Sequence, residues 1–132
     1  MADWFVVRLG KRSDDPVTWI AVDGEGRLLT PQGSGTLSQA ATQTAGRRIA
    51  VLVPAGDVLL TEAALPAKTG AKLAQVVPYA LEEQVADDID SLHFAVGRRS
   101  SATGRTAIAV IGRSAMQATL AALGEAGLMP AA

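Results

Sequence analysis

Cysteine is absent from the chain, which excludes disulfides, thiol catalysis and thiolate metal sites, and fits a reducing compartment. Histidine occurs once, at His93, so no paired-histidine metal site can be built. An excess of either charge is missing as well. Thirteen acids against twelve bases leave a formal charge of -1, and no general attraction to nucleic acid or an anionic membrane follows from that balance. No apolar run approaches the roughly 20 residues that span a bilayer. The opening MADWFVVRLGKR lacks the order of charge, apolar core and small cleavage site that marks a secretory signal. These absences predict a soluble, cytoplasmic piece without a membrane span.

What is present is apolar content. With 48% hydrophobic residues over 132 positions the chain can bury a core, as one globular unit or as two small lobes. Trp4 to Leu9 and Val17 to Val22 are β-branched and aromatic runs separated by the polar GKRSDDP, which predicts a hairpin. Asp23-Gly24 then predicts a tight turn into a third antiparallel strand at Gly26 to Leu29. Pro31 to Gly35 reads as loop, and a short helix is expected from Leu37 to Ala45, ended by Gly46 in a left-handed conformation. Arg48 to Val53 is a continuous apolar run, predicted to be a strand beside the first hairpin and covered on both faces. Val58 to Leu65 predicts another strand, ended by Pro66.

The segment Thr69 to Asp90, TGAKLAQVVPYALEEQVADDID, carries the strongest periodicity. On a 3.6-residue wheel Leu73, Ala74, Val76, Val77, Ala80, Leu81 and Val85 share one face, and Lys72, Gln75, Tyr79, Glu82 and Glu83 the other. A helix is expected, kinked or restarted at Pro78, where an amide donor is lost. Leu92, Phe94 and Val96 then alternate with polar or small residues, as in a half-buried strand. Thr106 to Ile111 predicts its partner, across a connection whose Arg98, Arg99 and Arg105 form a basic tip. Ser114 with Gln117 reads as a capping box opening a last helix, with a Met116, Leu120, Leu123 stripe, a stop at Gly127 and Leu128 folding back. The short Pro/Ala tail beyond reads as a linker toward a further element. Residues 67-132 thus predict an α+β unit of order helix, strand, strand, helix, preceded by a β-rich unit over residues 1-66 with one short helix.

Motifs for chemistry are scarce. Lys68-Thr69 has Ala67 and Glu62 where a phosphate loop needs glycines. Asp23-Gly24-Glu25-Gly26 sits between strands and lacks the third glycine of a dinucleotide fingerprint. His93 points away from Leu92 and Phe94 and reads as a partly exposed structural residue. Glu82, Glu83, Asp87, Asp88 and Asp90 are enough carboxylates for a divalent ion in number, but without the glycine-turn spacing of a calcium loop. A solvated acidic face and a docking face for a basic partner helix, with Tyr79 beside the carboxylates, are the two readings left open. The three arginines of the tip have no interleaved aromatics, so they are weak evidence for nucleic acid.

The stretch VVPYALEEQVADDIDSLHFAVG, residues 76-97, closely resembles a segment typical of type II secretion system protein L. An early strand meander, VLVP at residues 51-54 and LPAK at residues 65-68 occur in the order that family shows. The resemblance implies an α/β (α+β) fold, part of an actin-like, ribonuclease-H-like architecture. Residues 1-66 would be the opening of its first lobe, with a helix-strand-strand-helix subdomain inserted after it. A second lobe, a single membrane span and a periplasmic domain would lie beyond Ala132.

The resemblance further implies a non-enzymatic scaffold on the cytoplasmic side of the bacterial inner membrane. Its implied partners are the N-terminal domain of the secretion ATPase and other platform proteins of the same system. The phosphate hairpin of an active actin-like ATPase carries a D-x-G triplet, and GKRSDDP has none, so no cofactor or metal is expected. Tyr79, Glu82, Glu83 and Asp87 are the expected partner-binding face, with Arg98 and Arg99 as a secondary edge. The alternatives are a nucleotide-binding actin-like ATPase fragment and a self-assembly module that dimerises through exposed strand edges.

Overall fold

The computed structural model describes residues 2-12, 14-65, 71-85 and 88-132, with backbone alone for residues 71-74. The first apolar run forms β1 (Trp4–Arg8), which pairs antiparallel with β2 (Val17–Val22), as the sequence predicts. Asp23 builds the turn that follows, its Oδ1 accepting from the backbone N–H of Glu25 and of Arg27, both at 2.9 Å. The third strand is not where the sequence puts it. Residues 26-29 give only one bridge, Val22 to Leu28, and β3 is Gly33–Gly35, inside the expected loop. Leu28 and Leu29 stay exposed. The glycine explains the shift, because a Cβ at Gly33 would overlap the Trp19 indole. Only a bare backbone can lie flat against that ring.

Helix α1 (Leu37–Ala41) opens on a reciprocal capping box. Thr36 Oγ1 accepts from the Gln39 amide at 3.1 Å, and Gln39 Oε1 accepts from the Thr36 amide at 2.8 Å. It stops four residues earlier than expected. Thr42 Oγ1 donates to the Gln39 carbonyl at 2.7 Å and Thr44 Oγ1 to that of Ala41 at 3.3 Å, drawing off the acceptors that a further turn would use. Ala45 and Gly46, both with positive φ, turn the chain into β4 (Arg48–Leu52).

β4 lies parallel to β1, giving the order β3-β2-β1-β4. Past β4, the Ala132 amide approaches the Ile49 carbonyl at 3.3 Å and the Val51 amide donates to Ala132 at 2.9 Å. That is the bonding of a parallel partner on the outer edge. Phe5, Val7, Val17 and Ala40 form the core beneath α1, joined by Leu9, Trp19 and Leu37. The expectation that β4 is covered on both faces is not met, since none of its residues is buried and Leu52 is 52% exposed.

β5 (Val58–Ala63), expected with the first lobe, belongs to a second sheet. It pairs antiparallel with β7 (Thr106–Gly112), whose other neighbour is β6 (Leu92–Arg99), giving the order β5-β7-β6. The chain divides into two compact units, Met1–Pro54 with Ala118–Ala132, and Ala55–Gln117. The boundaries of this division lie after Pro54 and after Gln117, whereas the sequence reading had a single one at residue 66 and kept residues 67-132 together.

The last helix, α3 (Arg113–Glu125), follows β7 without a break. Ser114 is thus its second residue and not its cap. Arg113 reaches back to the Leu92 carbonyl at 3.3 Å, fixing the corner. The end is as expected. Gly127 takes φ +82°, the Leu128 amide donates to the Leu123 carbonyl at 2.9 Å and the Gly127 amide to that of Gly124 at 3.1 Å. This paired bonding folds the chain back over the last turn, and Leu123 and Leu128 are both buried.

Candidate docking face on the central helix

Helix α2 (Ala71–Leu81) is the expected central helix, but shorter. Pro78 lies inside it and leaves the Ala74 carbonyl without its amide partner. At Leu81 the backbone reaches φ -107°, ψ 0°, and Glu82–Gln84 continue as a single 3-10 turn before Val85 turns extended. The run to Asp90 is therefore not one helix. The carboxylates explain the stop, because negative side chains are unfavourable at the negative end of a helix dipole.

Two residues mark the inward side among the described side chains of α2. Val77 and Leu81, one turn apart, are 0% exposed and pack in a cluster with Ala63, Leu65, Leu92, Ile108 and Val110 from the sheet side. Val85 and Phe94 border it. Burying two such side chains contributes on the order of 2 kcal/mol each, enough to fix which way the helix is turned. Thr61 Oγ1 donates to Gln84 Oε1 at 3.0 Å and ties the 3-10 turn to β5.

That anchoring aims the opposite side outward. Tyr79 is 71% exposed, and Glu82 and Glu83 are exposed beside it in sequence. Val76, assigned to the buried face by the wheel, is also exposed, as is Ala80. Val76, Tyr79, Ala80 and Glu83 recur at the i, i+3, i+4, i+7 spacing of a helix stripe, so the face is more apolar than the sequence reading made it. Leu73 and Ala74, also on that wheel, have no side chains described, and Asp87 lies outside the described residues.

The arginines behave differently from the expected basic tip. Arg98 and Arg99 are the last residues of β6, not loop residues. Arg99 Nε donates to the Gly104 carbonyl at 3.1 Å, closing its own hairpin. Arg105 reaches across to β5, donating to the Glu62 carbonyl at 3.1 Å and lying 3.7 Å from its carboxylate. Among the described residues no hydrogen bond or ion pair joins Arg98 or Arg99 to Tyr79, Glu82 or Glu83. His93 is exposed on β6. Asp88 accepts from the Asp90 amide at 3.3 Å as the cap of a 3-10 turn. No group of three or more metal-ligating side chains occurs among the described residues.

The profile of the family described as "Type II secretion system (T2SS), protein L" matches residues 5-132. The chain belongs to that family. A protein L of Pectobacterium carotovorum is 34% identical over 127 residues, covering 93% of this chain and 29% of the relative. One from Dickeya chrysanthemi is 37% identical over 94 residues, covering 69% of this chain and 24% of the relative. The chain therefore spans about a quarter of the length of those relatives.

Among solved structures, it superposes on the cytoplasmic domain of EpsL, an inner membrane component of the type II secretion system of Vibrio cholerae. The TM-score is 0.75 at 22% identity, covering 96% of this chain and 54% of that one. At that identity the likeness is one of fold, and the fold is the actin-like one that the sequence resemblance implied. Among the described residues of this chain, no helix is long and apolar enough to cross a membrane.

Proposed function

We propose that this chain is a scaffold piece of a type II secretion inner-membrane platform, on the cytoplasmic side, and that it recruits the secretion ATPase by protein-protein contact. The observation that carries the reading is the outward display on α2 and its 3-10 turn. An aromatic side chain 71% exposed stands close in sequence to two exposed carboxylates, on an element whose Val77 and Leu81 are fully buried. A preorganised aromatic anchor with a charged rim suits a basic amphipathic partner helix. The acids set the on-rate and its salt dependence, and Tyr79 with Val76 supplies the desolvated centre. Arg98 and Arg99 would serve as a secondary edge.

A non-enzymatic role is supported by the loop between β1 and β2. An actin-like ATPase wraps phosphate there, whereas here Asp15 Oδ2 accepts from the Arg12 amide at 3.0 Å and occupies the donor itself.

The test is calorimetric titration with the N-terminal domain of the cognate secretion ATPase at low and moderate salt. Saturable binding that weakens with salt is expected. Tyr79→Ala combined with Glu83→Ala should lower the affinity at least tenfold with Tm nearly unchanged. Unaltered affinity in that double variant would remove this face from the interface.

A further inference from the structure

Because α2 stops at Leu81, one end of the second sheet is left open on the side that faces the helix. Rows across the strands on that side pair Thr61 with Ile108, then Leu59 with Val110, and then Leu92 with Gly112. Gln84 ties the 3-10 turn to the first row, and one row further Leu59 is already 43% exposed. A cleft of about 380 Å³ opens there. Its lining is apolar at Val85, Leu92 and Val110 and polar at Gln84 and Asp57. Gln84 Oε1 is engaged by the Thr61 hydroxyl. Asp57 is exposed and, among the described residues, makes no ion pair and no side-chain hydrogen bond, so its carboxylate is the acceptor on offer.

We propose that this cleft receives one arginine side chain of the partner that docks on α2. The inference rests on the reading of α2 as the docking face and names what the partner must bring to it. Glu83 directly precedes Gln84 in the chain, so a partner lying over Tyr79 and Glu83 has the cleft beside it. Methylenes of a long stem suit the apolar lining, and a charged head that stays near water suits a carboxylate at an exposed position. Guanidinium fits better than ammonium, because its planar fork meets both oxygens of a carboxylate. An acidic occupant would be repelled by Asp57, and a purely apolar one would strip water from that carboxylate without replacing it. The volume lies at the low end of small-ligand pockets, enough for one long side chain.

Glycine leaves the room. Gly56 and Gly112 line the cleft, and a Cβ at either would meet no atom within 4 Å. A larger side chain at Gly112 therefore fills the space while the Asp57 charge stays in place.

Two titrations test this. The first needs no partner: n-butylguanidinium added to the isotope-labelled chain should shift the Gly56 and Gly112 amide resonances saturably, and Asp57→Asn should abolish those shifts. In the second, the N-terminal domain of the secretion ATPase is titrated into the chain and its variants. Asp57→Asn should weaken binding at least tenfold and flatten its salt dependence, and Gly112→Leu should weaken it as much with the salt dependence kept. Tm should stay nearly unchanged in Asp57→Asn, which alters an exposed side chain and keeps the test valid if Gly112→Leu folds poorly. Binding that Tyr79→Ala with Glu83→Ala weakens and that Asp57→Asn leaves alone would overturn the cleft and spare the docking face. Probe shifts indifferent to Asp57→Asn would overturn the cleft as well. No binding of the ATPase domain by the unaltered chain would overturn the docking reading and the arginine's assignment to that partner together.

Discussion

Replacing Leu81 by Ala tests the orientation of α2 on which the docking face depends. Leu81 is 0% exposed and sits in the cluster with Ala63, Leu65, Val77, Leu92, Ile108 and Val110. Removing three carbons forfeits about 2.4 kcal/mol at ~0.8 kcal/mol per carbon. A partly relaxed cavity of roughly 40 Å³ adds about 1 kcal/mol. The expected loss is therefore about 3 kcal/mol, or a fall in Tm of about 12 °C at roughly 4 °C per kcal/mol. Tyr79→Ala, two residues away but 71% exposed, should change stability by less than about 0.5 kcal/mol. Urea unfolding followed by circular dichroism gives both numbers, with the slope m unchanged if only packing is lost. A Leu81→Ala loss below about 1 kcal/mol, or equal effects of the two substitutions, would refute this rotation of the helix and the outward face with it.

Other sites give sharper local readings. Gly127→Ala meets no atom within 4 Å, so its cost comes from φ +82° alone and should be about 1–2 kcal/mol by chemical denaturation. Thr36→Ala removes one half of the capping box and should cost about 1 kcal/mol in the same assay. Thr36→Ser, which keeps the hydroxyl, should restore most of it. Gly33→Ala forces a methyl into the Trp19 indole, and the expected result is a loss of about 1–3 kcal/mol with altered tryptophan fluorescence. Glu62→Gln at the half-exposed pair with Arg105 should leave stability within about 0.5 kcal/mol.

Much of the fold was legible because local patterns and tertiary needs agree. The β-branched run of β1, the tyrosine and carboxylates opposite Val77 and Leu81, and the Gly127-Leu128 ending are each set by residues close in sequence. The family was legible for the same reason, since residues 76-97 are one continuous stretch. The exposure of Tyr79, Glu82 and Glu83 was legible in the sequence, and that of Val76 was not. A wheel spreads the buried side over a broad arc, whereas among the described side chains of α2 the buried ones are Val77 and Leu81.

The sequence by itself determined which segments are apolar, where the main turns fall, that thiol and paired-histidine chemistry are out of reach, and which family the chain resembles. All of these rest on composition or on short-range spacing. Tertiary structure alone decided that β3 is the glycine strand against Trp19, that β5 pairs with β7, and that Arg105 serves Glu62. Strand partners and the faces they present depend on register between segments tens of residues apart, and no period within one segment encodes that choice.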